Sequence, residues 1–428
     1  MEKIVNPQRE EWAALLTRPQ LKTADLAKVC KEIFAEIQKD GDRALGKYTW
    51  FFDQVRIDRL EVSEQECLEA DSQVSEVLKQ AIRTAKRNIE AFHALQCMDR
   101  NEYVSSEGFR CWQEARGIEK VGLYIPGGSA PLFSTVLMLA VPAKLAGCQE
   151  VILCTPPDRS GKIHPAILWT AQLCGVHKIF KVGGIQAIGA MTLGTETVPR
   201  VNKIFGPGNQ FVTAAKQLAV HYGVAIDMPA GPSEVMVVAD ASANPCFVAA
   251  DLLSQAEHGP DSQVILLTID SRWAETVEQE VVSQLSELPR RDIASRALEN
   301  SKVIVLADME ECLDMVNEYA PEHLILCMEN YIEAIPKIKN AGSVFLGNYA
   351  PESAGDYASG TNHTLPTNGY AKAYSGINID AFVKKITFQE ITRKGLVALA
   401  PTIMTMAENE CLYAHRRAVE IRLEDQKI

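Results

Sequence analysis

A predicted helix end at residues 244–258 could bind a metal ion. The segment NPCFVAADLLSQAEH starts with Asn-Pro, which is typical of a helix start, and then becomes amphipathic. Gln255 and His258 are three residues apart, so they share a face just before Gly259-Pro260 stops the helix. A metal ion could use both side chains, although glutamine is an unusual zinc ligand. A histidine satisfied by local hydrogen bonds at a helix terminus explains the same spacing.

A second candidate is the pair Glu322-His323, which follows an expected helix and precedes the apolar run LILC. A carboxylate and an imidazole side by side can divide proton-transfer work, because each has its own pKa. One such dipeptide is also common in surface turns. The spacing alone therefore leaves both interpretations open.

A third candidate is the segment 351–369, PESAGDYASGTNHTLPTNG, which holds Asp356 and His363. From Pro351 to Ser375 the chain is too rich in turn-forming residues to predict a regular element. Nineteen such residues inside a compact enzyme suggest the wall or lid of a site. A solvent-exposed connection is the alternative.

Glu410 and His415 lie in a last predicted helix, which is expected to begin after Pro401 and to run to about Arg422. Five residues apart on one helix, their side chains are displaced by about 140° and do not share a face. A solvated helical surface accounts for both residues.

Three turns could hold the phosphates of a dinucleotide, because helix N-termini present free N–H groups to anions. These turns are Pro126-Gly127-Gly128-Ser129, Gly183-Gly184-Ile185-Gln186 and Gly206-Pro207-Gly208-Asn209. None of them matches the G-x-G-x-x-G fingerprint. Tight packing of a strand against a helix explains the glycines equally well.

The elements that must position these residues are predicted to be parallel β-sheets with connecting helices. From Lys120 onward, short β-branched runs alternate with helix-length segments, which is the rhythm of βαβ units. The first series is KVGLYI (120–125), EVILCT (150–155), KIFKV (178–182) and NKIF (202–205); the second is EVMVVAD (234–240), SQVILLTID (262–270), KVIVLAD (302–308) and SVFLG (343–347). Two αβα modules are therefore expected, joined around residues 227–233.

The chain before Lys120 is predicted to be helical. Ser63 and Glu66 form a possible capping box. Apolar residues then recur at helical spacing, at Val74, Val77, Leu78, Ala81, Ile82, Ala85, Ile89 and Phe92.

Composition excludes several classes of protein. At 428 residues the chain exceeds what one core usually organises. Lys plus Arg (43) less Asp plus Glu (55) gives a net charge of −12, which argues against nucleic acid or an anionic membrane as the main partner. No apolar run approaches the roughly 20 residues that span a bilayer, and the charged N-terminus lacks a signal peptide's apolar core. Eleven scattered cysteines predict reduced, mostly buried thiols and a cytoplasmic location.

The chain resembles the histidinol dehydrogenase family from roughly residue 25 to its C-terminus. The segments that carry the resemblance are GLYIPGGSAPLFSTVLMLAVPAKLAGC (from Gly122), FGPGNQFVTAAK (from Phe205), IDMPAGPSEVMVVADASANPCFVAADLLSQAEHGPDSQV (from Ile226), APEHL (from Ala320) and GDYASGTNHTLPT (from Gly355). The resemblance implies an NAD-dependent oxidoreductase that converts L-histidinol to L-histidine in two steps, the last reaction of histidine biosynthesis. It also implies one zinc ion per site and a homodimer.

The resemblance assigns a role to each candidate residue. It implies that Glu322 and His323 are the catalytic acid–base pair. The implied zinc ligands are Gln255, His258, Asp356 and His415. The implied NAD contacts are Tyr124, Gln186 and Asn209. The implied substrate contacts are Ser233, Gln255, His258, His323, Asp356, His363, Glu410 and His415.

The resemblance also implies an α/β fold with two incomplete Rossmann-like αβα modules, N-terminal helices and a C-terminal helical tail. The expected division is an N-terminal helical arm at 1–24, a first domain at 25–123 and 234–377, a second, NAD-contacting domain at 124–233, and a tail at 378–428. The tail is expected to reach the partner subunit, so that the two subunits share their active sites.

Other interpretations of the same residues are a zinc hydrolase, in which Glu322 activates a zinc-bound water, and a zinc-binding sensor without turnover. Cys148 and Cys154 raise a further alternative, a thiohemiacetal intermediate. Both cysteines have apolar sequence surroundings without a basic neighbour, so they are predicted to be structural thiols.

Overall fold

The computed structural model describes residues 1–19, 23–97, 100–127, 130–229 and 231–424, with the side chains of 23–25 not described. The strands are β1 (Glu2–Val5), β2 (Asn101–Val104), β3 (Phe109–Gly117), β4 (Lys120–Tyr124), β5 (Glu150–Thr155), β6 (Lys178–Lys181), β7 (Lys203–Phe205), β8 (Ala225–Ile226), β9 (Glu234–Ala239), β10 (Gln263–Thr268), β11 (Lys302–Val305), β12 (His323–Cys327), β13 (Ser343–Leu346) and β14 (Val383–Ile391).

The helices are α1 (Trp12–Leu15), α2 (Thr23–Asp40), α3 (Asp42–Asp53), α4 (Glu64–Gln73), α5 (Glu76–Ala94), α6 (Phe133–Leu145), α7 (Pro165–Leu173), α8 (Gly184–Leu193), α9 (Gln210–His221), α10 (Pro245–Ala256), α11 (Ser271–Leu285), α12 (Arg291–Glu299), α13 (Met309–Tyr319), α14 (Tyr331–Ala334), α15 (Glu352–Tyr357), α16 (Arg393–Asn409) and α17 (Tyr413–Glu424). Among the residues described, no helix is long and apolar enough to cross a membrane.

The chain forms two compact units. The first unit comprises residues 1–96 and 118–382, and the second comprises residues 97–117 and 383–428. The first unit contains two parallel sheets with helices, which confirms the predicted α/β fold with parallel-sheet cores.

The six-stranded sheet has the order β1-β11-β10-β9-β12-β13, and every pairing in it is parallel. Every residue of β9, β10 and β12 is buried, because helices cover both faces of these central strands. The pairing of β12 with β9 places His323 opposite Val235, so the amino ends of these two strands are neighbours.

The five-stranded sheet has the order β6-β5-β4-β7-β8 and is also parallel. Successive strand residues point to opposite faces, and after its first residue each of β4 to β7 is buried throughout, so helices must cover both faces. Helices α2, α3, α8 and α9 pack together on one face, and α4, α5, α6 and α7 on the other.

This packing corrects the expected division of residues 25–123. The helices of this stretch were expected to belong to the domain of residues 234–377, but they complete the five-stranded module. Ile33 and Phe34 of α2 share a core with Ile152 of β5, and Ile82 and Ile89 of α5 share one with neighbouring sheet residues. The connecting helices of this sheet leave apolar surface on both faces, and the N-terminal helices cover it.

The N-terminal arm at 1–24 is not wholly helical, because residues 2–5 form β1 and pair with β11 at the edge of the six-stranded sheet. The capping box of Ser63 and Glu66 is confirmed at the start of α4. The apolar series that follows is divided between two helices, because Val74 is extended and ends α4. Val77 and Phe92 lie on the exposed side of α5.

The segment 351–375 also contains a regular element, contrary to expectation, because α15 occupies Glu352–Tyr357. The C-terminal tail at 378–428 is likewise not only helical. Its residues 383–391 form β14, which lies in an antiparallel sheet of order β14-β3-β2 in the second unit.

The last predicted helix is two helices. The first begins at Arg393, well before Pro401, because the side chain of Thr392 accepts a hydrogen bond from the N–H of Gly395 and caps it. It ends at Asn409, and Cys411 then adopts a left-handed backbone with φ 58°. Glu410 and His415 therefore lie at the end of α16 and within α17, rather than on one helix.

Candidate active site

The candidate active site lies at the amino ends of β9 and β12, where Glu322 and His323 enter the sheet. The backbone N–H of Glu234 donates to Oε2 of Glu322 at 2.8 Å. The ring Nδ1 of His323 lies 3.2 Å from the carbonyl oxygen of Glu234, to which an Nδ1–H would donate. Both Glu322 and His323 are thus held by the main chain of one residue, and both are buried.

Two helices bring further side chains to this pair. The end of α10 supplies Gln255, whose Nε2 lies 3.2 Å from Nδ1 of His323 and 3.4 Å from Oε2 of Glu322. Helix α15 supplies two carboxylates, because Glu352 and Asp356 are four residues apart and share one face. Glu352 Oε1 lies 3.8 Å from Nδ1 of His323, and Asp356 Oδ1 lies 3.6 Å from its Nε2.

His258, Glu352 and Asp356 form a group that could hold a metal ion, since their ligand atoms all lie within 4.8 Å of one another. His258 is exposed, whereas the two carboxylates are buried. Two of the predicted ligands, His258 and Asp356, are therefore close together, and Glu352 joins them.

Several buried carboxylates lie close together in this cluster, and the pKa values of its groups are shifted as a result. Burial raises the pKa of Glu322 to about 8, although the neighbouring His323 opposes this rise. Burial also raises the pKa of Glu352 to about 8 and that of Asp251 to about 7. Burial alone would lower the pKa of His323, but Glu352, Glu322 and Asp356 outweigh it and raise this pKa to about 10. A cation among these groups would lower each of these raised values.

Four buried atoms of the cluster have no hydrogen-bond partner among the described residues: Gln255 Oε1, His323 Nε2, Glu352 Oε2 and Asp356 Oδ1. Each of them offers a lone pair when the proton of His323 is on Nδ1. Buried polar atoms rarely stay unpaired, and a cation is the type of ligand that suits several acceptors at once. The residues present therefore fit a divalent metal ion with oxygen and nitrogen ligands.

His363 connects this cluster to the five-stranded module. Its Nδ1 lies 3.0 Å from the carbonyl oxygen of Asp356, and its Nε2 lies 3.1 Å from the hydroxyl of Thr135 on α6. If Nδ1 carries the proton, Nε2 accepts a hydrogen bond from Thr135. Burial lowers the pKa of His363, which favours this neutral form. Ser233 is half-buried and immediately precedes Glu234.

The three predicted NAD-contacting residues, Tyr124, Gln186 and Asn209, line one cavity of about 1020 Å³. Its wall includes the residues that follow β4, β5, β6 and β7, and the carboxyl ends of parallel strands are where such sheets bind ligands. The cavity volume is at the upper end of the roughly 300–1,000 Å³ that is typical of small-molecule sites. Pro131 also lines the cavity, four residues before the Thr135 that contacts His363.

The polar groups of this cavity are suited to a ligand. Both side-chain amide atoms of Gln186 are buried and have no hydrogen-bond partner among the described residues. The hydroxyl of Tyr124 accepts a hydrogen bond from the N–H of Gly184 at 3.1 Å. The turn at 126–129 is described only at Pro126 and Gly127, which line the cavity, and Gly128 and Ser129 lie outside the described residues.

The remaining sequence candidates are two residues of the C-terminal tail and two cysteines. Glu410 and His415 belong to the second compact unit, in which both are exposed.

Cys148 and Cys154 are buried, as predicted, and burial raises the pKa of the Cys148 thiol to about 11 and that of Cys154 still further. A raised pKa suppresses the thiolate that a nucleophile needs, so neither residue suits a thiohemiacetal mechanism.

Sequence reasoning missed two carboxylates of the site, Glu352 and Asp251. A signal existed for both, because each lies four residues before a candidate ligand, Asp356 and Gln255 respectively. The spacing of Glu352 and Asp356 was overlooked because segment 351–375 was predicted to have no regular element. The second signal was concealed because Asp251 looked like an ordinary polar residue of an amphipathic helix.

The chain is similar in sequence to histidinol dehydrogenases over nearly its whole length. The family model described as histidinol dehydrogenase matches residues 16–423. A histidinol dehydrogenase from Bacteroides thetaiotaomicron is 60% identical over 427 residues, covering 100% of both chains. One from Salmonella typhimurium is 52% identical over 417 residues, covering 97% of this chain and 95% of the relative.

Two solved structures resemble the chain to different degrees. The crystal structure of histidinol dehydrogenase from Elizabethkingia anophelis has a TM-score of 0.97 at 58% identity, covering 99% of this chain and 98% of that one. An acetylating aldehyde dehydrogenase from Geobacillus thermoglucosidasius has a TM-score of 0.51 at 14% identity, covering 90% of this chain and 95% of that one. The latter likeness concerns the fold alone.

The carboxylate of Glu352 gives a test of the metal site. We expect Glu352→Gln to weaken Zn²⁺ binding about tenfold or more, because the substitution removes negative charge and one acceptor from the ligand group. Equilibrium dialysis against buffered Zn²⁺, with the bound metal measured by atomic absorption, gives the affinity. Glu329→Gln, at an exposed carboxylate beyond the far end of β12, is the matched control and should bind as the parent does. If the parent, Glu352→Gln and Glu329→Gln bound Zn²⁺ with equal affinity, Glu352 would not be a metal ligand.

Proposed function

The chain belongs to the histidinol dehydrogenase family and is an NAD-dependent oxidoreductase; from that membership we propose its full reaction and site. The protein oxidises L-histidinol to L-histidine through bound histidinal and reduces two NAD, as the final step of histidine biosynthesis in the cytoplasm. The observation that carries this proposal is the buried Glu322–His323 pair, surrounded by unpaired acceptors and linked through His363 and Thr135 to the cavity wall.

We propose that each site holds one zinc ion. A bound zinc ion would supply Lewis-acid chemistry and would help to orient the substrate. The proposed ligands are Gln255, His258, Asp356 and His415. The grouping of His258 and Asp356 with unpaired acceptors supports the first three of them. The proposed substrate contacts also include Ser233, His363 and Glu410.

His323 is proposed to accept the alcohol proton in the first oxidation, in which NAD held by the adjacent cavity would supply the hydride acceptor. The main-chain contact at Nδ1 leaves Nε2 free to take that proton, which is the arrangement that a general base needs. Positive charge nearby would lower the raised pKa of His323 and make it neutral at working pH.

Glu322 is proposed to take a proton from the water that adds to the aldehyde, which gives a hydrate for the second hydride transfer. Its burial raises its pKa to about 8, within the range in which a carboxylate can act as a base near neutral pH. The balanced reaction converts one histidinol, one water and two NAD⁺ into one histidine, two NADH and three protons. Retaining the aldehyde in the site prevents its loss to side reactions.

The stoichiometry tests the two-step proposal. Each L-histidinol consumed should give two NADH and one L-histidine, because the aldehyde stays bound until its own oxidation. Absorbance of NADH and chromatographic analysis of the amino acid product provide the two counts. Release of free histidinal as the main product, with one NADH, would refute the proposal.

Two substitutions test the division of labour. Glu322→Gln should slow oxidation of histidinal about 10²–10⁴-fold, and oxidation of histidinol less, because only the aldehyde step needs activated water. His323→Asn should slow the alcohol step more strongly. Single-turnover NADH formation from each substrate separates the two steps. If both variants lost both steps equally, the proposed roles would be wrong.

The shared site can be tested with mixed dimers. We propose that Glu410 and His415 complete the partner's site, so Glu322→Gln and His415→Asn should each be inactive alone. Their purified mixed dimer should recover about half of the wild-type activity, because one intact body then meets one intact tail. A mixed dimer of wild type with the double variant is the control and should be inactive. The opposite pattern, with activity only in the control dimer, would place His415 in its own chain's site.

A further inference from the structure

Arg18 and Glu234 form a buried ion pair that lies next to the catalytic pair but belongs to none of the roles given above. Arg18 Nε lies 2.6 Å from Oε1 of Glu234, and its Nη2 lies 3.0 Å from Oε2. The two side chains are only 14% and 3% exposed. The contact is a bidentate fork, the strongest geometry that a guanidinium and a carboxylate adopt.

Arg18 also binds the chain that leads into Glu322. Its Nη2 donates to the carbonyl oxygen of Tyr319 at 2.8 Å, and its guanidinium stacks 3.8 Å from the centre of the Tyr319 ring. Ala320 follows with a left-handed backbone, φ 55°, a conformation that costs a non-glycine residue energy and needs support. Tyr319 is three residues before Glu322, so the guanidinium holds one end of this turn.

Glu234 in turn holds both catalytic residues through its main chain. Its N–H donates to Glu322 and its carbonyl oxygen lies within hydrogen-bond distance of His323, at the 2.8 and 3.2 Å given above. Its side chain also accepts a hydrogen bond from the N–H of Asn368 at 2.7 Å. One arginine therefore restrains both chain segments, residues 234 and 319–322, that set the positions of Glu322 and His323.

We propose that Arg18 is a positioning residue for the oxidation: through Glu234 and Tyr319 it fixes the catalytic carboxylate and imidazole relative to the substrate. This inference rests on the roles proposed for Glu322 and His323. Loss of Arg18 leaves the carboxylate of Glu234 buried without its cation. That carboxylate must then take up a proton or move toward water, and either change releases the amino end of β9. A displacement of about 1 Å at reacting groups can cost about a hundredfold in rate.

The test compares Arg18→Ala and Arg18→Lys with Arg9→Ala. Arg9 is the matched control, because it lies on the same N-terminal segment and forms an exposed pair with Asp314. We expect Arg18→Ala to lower kcat for histidinol about a hundredfold and to change its KM little, because substrate contacts persist while the reacting groups lose alignment. Arg18→Lys keeps the charge but loses the fork, so about a tenfold loss is expected. Arg9→Ala should match the wild type.

Rates are expressed per zinc-loaded site and measured below the unfolding midpoint of each variant, so that loss of folded protein does not count as loss of kcat. Added guanidinium should restore part of the Arg18→Ala rate, whereas ammonium should not, because only the former reproduces the fork. If Arg18→Ala does not fold, the kcat of Arg18→Lys decides the question.

An unchanged kcat per loaded site in Arg18→Lys and in folded Arg18→Ala would overturn the proposal, and so would a loss confined to KM. Glu322→Gln and His323→Asn are assayed in parallel. If these two lose activity and the Arg18 variants do not, only the positioning role fails. If these two remain fully active, the proposed acid–base roles fail first.

Discussion

The cost of burying several carboxylates together constrains this site more than any other interaction. An ion that loses its hydration costs several kcal/mol unless opposite charge and hydrogen-bond donors replace the water. The carboxylate of Glu322 accepts a hydrogen bond from the N–H of Glu234, and the carboxylate of Glu234 pairs with Arg18. Glu352 and Asp356, in contrast, face His323 with one unpaired oxygen each. The ends of β9, β12, α10 and α15 must therefore meet in one fixed arrangement, because a shift of any of them would leave charge without compensation.

Much of the fold could be predicted from the sequence, because its signals are local. The predicted runs at Glu150 and Glu234 are strands, since apolar β-branched residues bounded by turns have few other stable conformations. The partners of helices α2 to α5 could not be predicted, because an amphipathic face does not specify which sheet it covers. Strands β1, β3 and β14 were missed because their pairing partners lie far away in the sequence, and β2, the neighbour of β3, was missed with it in a stretch predicted to be helical.

Some residues of the candidate site could likewise be predicted from the sequence, and others could not. The structure brings Gln255, Asp356 and the Glu322–His323 pair together, and the chemical roles that the family resemblance implies for them stay predictions. Arg18 could not be found from spacing, since its carboxylate partner lies 216 positions away and only the folded chain brings them together. Neighbouring positions on a helix are readable in a sequence, whereas contacts between separate elements are not.

The proposed ligands of the first unit lie at the carboxyl edge of the five-stranded sheet and at the amino edge of the six-stranded sheet. The helix ends at these two edges carry partial charges of opposite sign. Helices α8 and α9 begin at the carboxyl edge of the five-stranded sheet, so their partial positive ends face the cavity and favour a pyrophosphate. Helix α10 ends at the amino edge of the six-stranded sheet, where its Gln255 contacts Glu322 and His323, so its partial negative end lies beside the carboxylate cluster. The helix termini alone would thus favour an anion in the proposed dinucleotide cavity and a cation at the carboxylate cluster, before any side chain contributes.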